Sequence, residues 1–377
     1  MSNKSKKNKA LKAFIIVLLI IAVLLGTFTF LGIAYIKKNF NYKYNEITSD
    51  PEELGFEEVK RDEIINIALF GVDTRNEKSF KGNTDSIMIL SVNTTEKKVK
   101  IISVLRDTFV PIPKDSGTAH RKINSLYAVG GPEYAIKMIN SYFALDISEY
   151  ATVNFNGMAE IIDAVGGIDV VLTEDELPRI NSSKHEQAKK YGGKADDYLV
   201  KTAGNNHLNG VQAVAYSRIR YVSNSEGTAN DYGRTDRQRY IMEQLFNKAI
   251  TMDKTQYVDL IRALSPYCET SLSFTEILNL AVKVLLNKPT FEQTRVPFIE
   301  YTMPAPTTAH GSIVYYDLEF AANIIHAFIY DNITPQKYIE ANGISKNDWY
   351  RNGYNPPVIK ENKPEESSKK ESKTPNN

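Results

Sequence analysis

Residues 64–107 read IINIALFGVDTRNEKSFKGNTDSIMILSVNTTEKKVKIISVLRD, and this stretch decides the fold. It contains three short segments rich in Ile and Val, at residues 64–70, 86–92 and 99–104, each bounded by turn-forming residues. Runs of this kind are typical of buried β-strands. The polar sequence NTTEK between the second and third segments predicts the turn of a hairpin.

Helical and strand-like patterns alternate downstream of this stretch. A helix is predicted at residues 132–145, opened by Pro132 after two glycines, and a second at 156–165 between strands at 151–155 and 168–172. This alternation favours a layered α/β domain over a barrel or a helical bundle. The polar residues 174–207 predict a long surface loop, and residues 236–250 predict an amphipathic helix.

The region after residue 252 has further helical patterns at 257–264, 274–286 and 318–330, with a strand-like piece near 295–298. Residues 253–350 therefore form a C-terminal extension that either completes the same core or packs beside it as a small lobe. Residues 351–377 predict a disordered tail, because the chain after Pro357 is rich in Lys, Glu, Ser and Pro without any aromatic residue.

The N-terminus predicts a membrane anchor. Residues 13–36 are apolar and uncharged, and as a helix this run spans about 36 Å, enough for a ~30 Å hydrocarbon core. Five lysines lie in the preceding residues 1–12, so the positive-inside rule places this basic tail in the cytoplasm and the bulk of the chain outside. A cleaved signal peptide has a shorter apolar region, of roughly 7–15 residues. Residues 37–61 are polar and predict a stalk.

Composition excludes several classes of site. The chain has 377 residues and a formal net charge of +1, so it lacks the overall basic character of a nucleic-acid binder. Its single cysteine, Cys268, excludes an internal disulfide, a cysteine-based zinc site and an iron–sulfur cluster. A lone cysteine of this kind is more often a packing residue than a nucleophile.

Five of the 13 arginines, and no lysine, lie between Arg218 and Arg239. A guanidinium is planar and can direct two N–H groups at one oxyanion, which lysine cannot do. Arg218 and Arg220 share a side if their segment is extended, and Arg234 and Gln238 share a helical face. A solvated basic loop is the alternative, but the preference for arginine favours a phosphate or carboxylate site.

Acidic and basic residues follow or precede the predicted strands at one edge of the sheet. Asp73 comes directly after the first strand and Asp85 directly before the second, so their carboxylates can converge on a hard cation such as Mg²⁺. Each could instead cap a turn. Arg106 follows the third strand, and Lys122 lies in the next loop. Together these groups are suited to phosphoryl transfer, in which cations neutralise the phosphate oxygens.

Seven motifs in this order resemble the LytR-CpsA-Psr family of cell-wall glycopolymer transferases, over residues 66–244. They are NIALFGVDTR, TDSIMILSVN, KVKIISVLRDTFVPIP, HRKINSLYAVGG, VNFNGMAEIIDAVGGIDV, LNGVQAVAYSRIR and DYGRTDRQR. The resemblance implies a catalytic domain at residues 62–252, folded as a three-layer α/β/α sandwich with a mixed central sheet and preceded by one transmembrane helix.

The resemblance also implies a function. Such enzymes bind a polyprenyl-pyrophosphate-linked glycan, with the lipid in an apolar groove, and transfer the glycan with its proximal phosphate to peptidoglycan outside the cell. The metal-binding residues would be Asp73 and Asp85, with Mg²⁺ or possible replacement by Mn²⁺. The residues that bind the pyrophosphate would be Arg106, Lys122, Arg218, Arg220, Arg234 and Gln238. Arg106 would also stabilise the transition state, and Asp73 would help to activate the acceptor hydroxyl.

The chain departs from the family pattern at three places. Asn83-Thr84 precede the second acid where an arginine is frequent, Leu105 replaces a frequent proline, and residues 223–230 form a longer, more polar turn. Two other functions use the same groups: a hydrolase that cleaves polyprenyl pyrophosphate with water, and a non-catalytic membrane regulator that binds lipid pyrophosphates. A pure binder needs the cations but not the paired acids, which favours an enzyme.

Overall fold

A mixed seven-stranded β-sheet forms the centre of the protein in a computed structural model, which describes residues 42–58, 61–72, 74, 79–114, 117–253, 265–298, 302 and 312–344. Its strands are β1 (Lys43–Tyr44), β2 (Ile64–Val72), β3 (Thr84–Asn93), β4 (Lys98–Val104), β7 (Glu149–Asn154), β10 (Cys268–Thr270) and β11 (Thr290–Val296). Their order across the sheet is β1-β10-β7-β2-β3-β4-β11. The predicted α/β fold with a mixed sheet is confirmed.

The three strands predicted from residues 64–104 form the middle of this sheet. β2, β3 and β4 are consecutive antiparallel neighbours, and Asn93 pairs with Lys98 across the predicted hairpin turn. β7 and β11 run parallel to β2 and β4, respectively. Because β3 runs opposite to β2 and β4, its beginning lies at the same sheet edge as the ends of β2 and β4.

Two small hairpins lie outside the central sheet. The first pairs β5 (Phe109–Lys114) with β6 (Gly117–Lys122), and the second pairs β8 (Ile168–Leu172) with β9 (Gly204–Leu208).

The described residues contain nine α-helices. They are α1 (Ser125–Phe143), α2 (Phe155–Ala164), α3 (Glu176–Asn181), α4 (Lys184–Tyr191), α5 (Gly210–Ser217), α6 (Asn230–Thr251), α7 (Phe274–Asn287), α8 (Leu318–Tyr330) and α9 (Pro335–Ala341). Short 3₁₀ turns occur at Ala195–Tyr198 and Ser265–Tyr267. Helices cover both faces of the sheet. α1 and α8 pack on the face that carries Phe70, Ile89 and Ile102. α2, α6 and α7 lie over the opposite face.

Several predicted elements have the wrong boundaries or the wrong type of secondary structure. α1 begins at Ser125, seven residues before Pro132, and Gly131 interrupts it with φ +75°. Residues 174–207 form α3, α4 and part of β9 instead of a loop. These short helices bury few side chains, such as Ile180 and Gln187, so their sequences lack an apolar period. α6 begins at Asn230 instead of residue 236.

The described part of the predicted stalk packs against the domain. Leu54 is fully buried in the main apolar core, and its carbonyl accepts a hydrogen bond from Asn140 Nδ2 at 2.8 Å. β1 pairs with β10, and the Lys43 ammonium forms an ion pair with buried Glu269. Residues 42–58 are therefore not a free stalk, because they complete one edge of the sheet and fill part of the core.

The region after residue 252 supplies parts of the same core. β10 and β11 are strands of the central sheet, and Phe328 of α8 is buried in the main apolar cluster. Residues 257–264 and the predicted tail 351–377 lie outside the described residues. Among the residues that the structure describes, no helix is long and apolar enough to cross a membrane. The predicted span, residues 13–36, and the basic tail, residues 1–12, lie outside them.

Candidate active site

A cluster of charged side chains lies at the sheet edge where β4 ends and β3 begins. Asp85 is the second residue of β3, and Arg106 follows β4 by two residues. The end of β6 is fixed to both strands by Asn124, whose carbonyl accepts from Thr84 N and whose N–H donates to Arg106 O. The predicted convergence of Asp85, Arg106 and Lys122 at one edge of the sheet is therefore what the structure shows.

Arg106 lies at the centre of the cluster. Its guanidinium forms an ion pair with Asp85 and lies 3.7 Å from Asp107 Oδ2 and 3.8 Å from Asp231 Oδ1. Lys122 Nζ contacts Asp107 Oδ1 at 3.0 Å. These ion pairs link the segment between β4 and β5, which carries Arg106 and Asp107, to Lys122 at the end of β6. Three of the predicted site residues, Asp85, Arg106 and Lys122, share this network.

Asp231, in the first turn of α6, contacts two further arginines of the cluster. Its carboxylate contacts Arg220 Nη2 at 3.0 Å and Arg234 Nη2 at 3.1 Å, in addition to Arg106. We did not assign Asp231 or Asp107 a role from the sequence. Asp231 lies in the DYGRTDRQR motif three residues before Arg234, and this spacing on one helical face was the available signal.

Asp107 and Asp231 are hydrogen-bonded to each other and have opposite pKa shifts. Burial raises the pKa of Asp231, against the charges of Arg234 and Arg220, and the bond to Asp107 raises it further. Burial also opposes ionisation of Asp107, but the hydrogen bonds from Asp231 and Lys122 and the charge of Arg106 outweigh it and lower its pKa. The pair can therefore hold one proton, on Asp231, at a pH where Asp107 is ionised.

The cluster has unused hydrogen-bond donors. The buried Nε atoms of Arg220 and Arg234 make no hydrogen bond within the described residues. Buried polar groups are normally hydrogen-bonded, and guanidinium N–H groups bind phosphate oxygens strongly. With four cations (Arg106, Lys122, Arg220 and Arg234) around three carboxyl groups (Asp85, Asp107 and Asp231), the described cluster is suited to an anionic ligand.

Arg218 and Gln238 lie beside this network. The condition under which Arg218 and Arg220 would share a side, an extended segment, is not met at Arg218, because this residue caps the C-terminus of α5 in a helical conformation. Its guanidinium lies over the Phe155 ring, 4.9 Å from the ring centroid. Gln238 lies one turn after Arg234 on α6 and lines the cavity described below. The remaining predicted site residue, Asp73, lies outside the described residues.

The other two arginines of the arginine-rich stretch have structural partners. Arg237 is fully buried, bonds Glu176 Oε1 at 2.7 Å and donates to the carbonyls of Ile219 and Val222. It thereby fixes the loop that carries Arg220. Arg239 pairs with Asp236 at 2.6 Å. The arginine enrichment therefore has, in part, a structural cause.

An apolar cavity of about 410 Å³ adjoins the cluster, between the sheet and helices α2, α6 and α7. Its walls include Met88, Ile101, Ile241, Leu245 and Phe291. Ser86, next to Asp85, and Gln238, one turn from Arg234, lie in its lining, so the charged cluster is at one end of the cavity. A Cβ on Gly71 would approach Ser86 Cβ to 3.0 Å, which explains a glycine at this point of β2. The cavity can hold an aliphatic chain whose anionic end contacts the arginines.

Donors for a divalent cation are present in part. Asp85 supplies a carboxylate that is partly exposed beside the cationic cluster. Within the described ranges, no group of three or more His, Cys, Asp or Glu side chains is arranged to hold a metal ion.

Known proteins of similar sequence are bacterial transferases. The chain is 30% identical over 258 residues to the polyisoprenyl-teichoic acid–peptidoglycan teichoic acid transferase TagU of Bacillus cereus, covering 68% of this chain and 76% of that protein. It is 31% identical over 219 residues to TagV of Bacillus subtilis, covering 57% of this chain and 52% of the relative.

Solved structures have the same fold. TagV of B. subtilis superimposes with a TM-score of 0.53 at 25% identity, covering 71% of this chain and 98% of that structure. TagT with bound octaprenyl pyrophosphate superimposes with a TM-score of 0.53 at 16% identity, covering 76% of this chain and 99% of that structure. At this identity the second likeness shows the fold alone.

The match to a family model extends beyond the seven motifs. It covers residues 30–321, which include the cationic cluster, the walls of the apolar cavity and the strands β10 and β11 that complete the sheet. The chain belongs to the LytR_cpsA_psr family.

Proposed function

We propose that this protein transfers a glycopolymer from a polyprenyl-pyrophosphate carrier to peptidoglycan. One observation supports this function above others: a cluster of four cationic side chains adjoins one end of an apolar cavity. A polyprenyl pyrophosphate has the matching chemistry, with an aliphatic tail and an anionic head. The teichoic acid transferases to which the chain is similar support a secondary wall polymer as the cargo.

The reaction breaks one phosphorus–oxygen bond and forms another. A peptidoglycan hydroxyl attacks the phosphorus that bears the glycan, the pyrophosphate bond breaks, and polyprenyl phosphate leaves. Arg106, Arg220 and Arg234 would bind the phosphate oxygens and neutralise the charge that grows on the leaving group. Lys122 would add a fourth positive charge. Asp107, held ionised beside Lys122, and Asp73 are the carboxylates proposed to accept the hydroxyl proton.

Asp85 and Asp73 would hold a divalent cation, for which Mg²⁺ fits the carboxylate chemistry. When bound, the ion would neutralise phosphate charge. Residues 13–36 would anchor the protein in the cell membrane, with the catalytic domain in its three-layer arrangement outside the cell.

The full-length protein in detergent, given Mg²⁺, a short polyprenyl-pyrophosphate disaccharide and uncross-linked peptidoglycan, tests the function. Mass spectrometry should find sugar phosphate joined to the glycan chain. Free sugar phosphate would identify a hydrolase instead, and the absence of turnover with retained lipid binding would identify a non-catalytic regulator. Asp85→Ala should raise the Mg²⁺ concentration needed for half-maximal rate.

A further inference from the structure

Helix α7 is apolar but poorly covered. Its sequence, FTEILNLAVKVLLN, has two charged residues, and Phe274 is the one buried residue among its described side chains. Leu280 and Val284 line the apolar cavity. On the opposite side of the helix, Leu278 is partly exposed and Val282 is 45% exposed. α7 is therefore one wall of the cavity and also presents an apolar stripe outward.

The first described residues of the chain lie at the beginning of this helix. The backbone N–H of Phe274 donates a hydrogen bond to the Tyr42 hydroxyl. The rings of Tyr42 and Tyr44 make an edge contact at 6.5 Å, and Tyr44 is 48% exposed. The two tyrosines therefore lie at the N-terminal end of α7, and Leu278 and Val282 follow about one and two turns along the same helix. We call these four residues the α7 face: Tyr42, Tyr44, Leu278 and Val282.

The length of the intervening chain fixes where this surface can be. The apolar run ends at residue 36, six residues before Tyr42, and six extended residues span about 20 Å. Tyr42, and with it the beginning of α7, must therefore lie within that distance of the end of the proposed membrane span, and Val282 is about 12 Å further along the helix. Tyrosine rings concentrate at the boundary between lipid headgroups and acyl chains. The apolar face of an interfacial helix is buried at the same boundary.

We propose that the α7 face docks on the outer surface of the membrane that carries the anchor, with Leu278 and Val282 at the headgroup–acyl boundary. This inference rests on the membrane anchoring in the proposed function. Its consequence is that the aliphatic tail of the substrate passes from the bilayer into the cavity alongside α7 without crossing water.

Depth measurements on the full-length chain in nanodiscs of phosphatidylglycerol and phosphatidylethanolamine test the docking. Val282→Cys is labelled with an environment-sensitive fluorophore, and quenching by lipids with a nitroxide on the acyl chain is measured. Val171→Cys is the matched control, because Val171 is 48% exposed on β8. Burial raises the pKa of the native Cys268 thiol to about 12, so it should not be labelled at neutral pH.

Docking predicts quenching at residue 282 at least threefold stronger than at residue 171. Equal quenching at the two positions would overturn it. Energy transfer between labelled copies without lipid quenching would also overturn it, since a second copy would then cover the α7 face. Retention of the chain in the nanodiscs after an alkaline carbonate wash reports the anchor separately, so failure of the anchor is distinguishable from failure of docking.

A second variant tests the consequence. Val282→Glu should slow turnover of a long-chain polyprenyl donor embedded in the nanodisc about tenfold and leave a water-soluble short-chain donor unaffected. Equal effects on both donors would indicate damage to the fold instead of loss of docking.

Discussion

At the scale of single residues, the site depends on which side of α6 an arginine occupies. Arg234 contacts Asp231 in the cationic cluster, whereas Arg237, three residues later, is fully buried against Glu176. Both are long, permanently charged side chains, but Arg237 has no exposed atom to offer a ligand. Its two backbone acceptors, Ile219 and Val222, flank Arg220 and so fix the position of an arginine of the cationic cluster. Arg234 is therefore available for the proposed ligand, and Arg237 has a structural role.

Arg106→Ala should reduce kcat/KM for transfer about 10²–10³-fold, because it removes a preorganised charge that faces the developing charge of the reaction. Arg106→Lys should not restore the rate, since an ammonium cannot make two parallel bonds. Lys122→Ala should cost less, and Arg121→Ala, at an exposed position of the same strand, is the control and should have no effect. Steady-state kinetics with equal folded protein measure all four, and normal turnover of Arg106→Ala would contradict the site.

Cys268 should behave as a packing residue. Burial raises the pKa of its thiol to about 12, so the reactive thiolate is scarce at pH 8. Iodoacetamide should modify the folded protein more slowly than the same protein in guanidinium chloride, by at least 100-fold. Mass spectrometry of the Cys268 peptide against time measures both rates. Similar rates would show that the thiol is accessible in the folded protein.

At the scale of elements, the edge of the sheet depends on a two-residue strand. β1 pairs with β10, and Lys43 neutralises Glu269, a buried carboxylate that also accepts from the Tyr150 hydroxyl at 3.0 Å. Asn45 Nδ2 donates to the same hydroxyl. A buried charge without its partner is strongly destabilising. The short β1 therefore has a larger energetic role than its length suggests.

A chain that begins at residue 54 should be less stable than one that begins at residue 37, because it lacks β1 and the partner of Glu269. Because the Lys43 side chain is 59% exposed, solvent partly screens the ion pair, and we expect a loss on the order of 1–3 kcal/mol in the free energy of unfolding. Urea unfolding followed by circular dichroism compares the two. Glu269→Gln in the shorter chain should recover part of the loss, because it removes the unpaired charge; no recovery would assign the loss to missing packing alone.

At the scale of the whole molecule, two kinds of surface meet between the sheet and the helices. The cationic cluster is built from β3, β4, β6 and α6, and the apolar cavity from the central sheet, α2, α6 and α7. α6 contributes to both, with Arg234 and Gln238 near its beginning and Leu245 further along. We therefore propose that a ligand with an anionic head and a long tail would contact both surfaces at once.

Filling the cavity should discriminate between substrates by tail length. Ala151 of β7 lines the cavity, and Ala151→Phe would occupy part of its volume. We expect KM for a long-chain polyprenyl donor to rise about tenfold or more while a short-chain donor is used as before. Val171→Phe, on the exposed surface of β8, is the control. An equal rise in KM for both donors would show that the cavity does not hold the tail.

Sequence patterns alone predicted the three central strands, their hairpin, the helices at residues 274–286 and 318–330, and the gathering of Asp85, Arg106 and Lys122. These predictions succeeded because apolar periodicity reports burial within one element, and because adjacent antiparallel strands place their ends at known edges. The motif order was enough to indicate the family. Polar segments such as α4 have no such periodicity, so their helices could not be predicted from the sequence.

Only the tertiary structure decided which distant residues meet. Asp231 contacts Arg106 across 125 positions of sequence, and Leu54 enters the core beneath α1 although its surroundings are polar. The difference between Arg234 and Arg237 follows from which side of α6 faces the sheet edge. Local patterns reflect the neighbours of a residue along the chain, whereas charge pairing and core packing depend on contacts that exist only after the chain has folded.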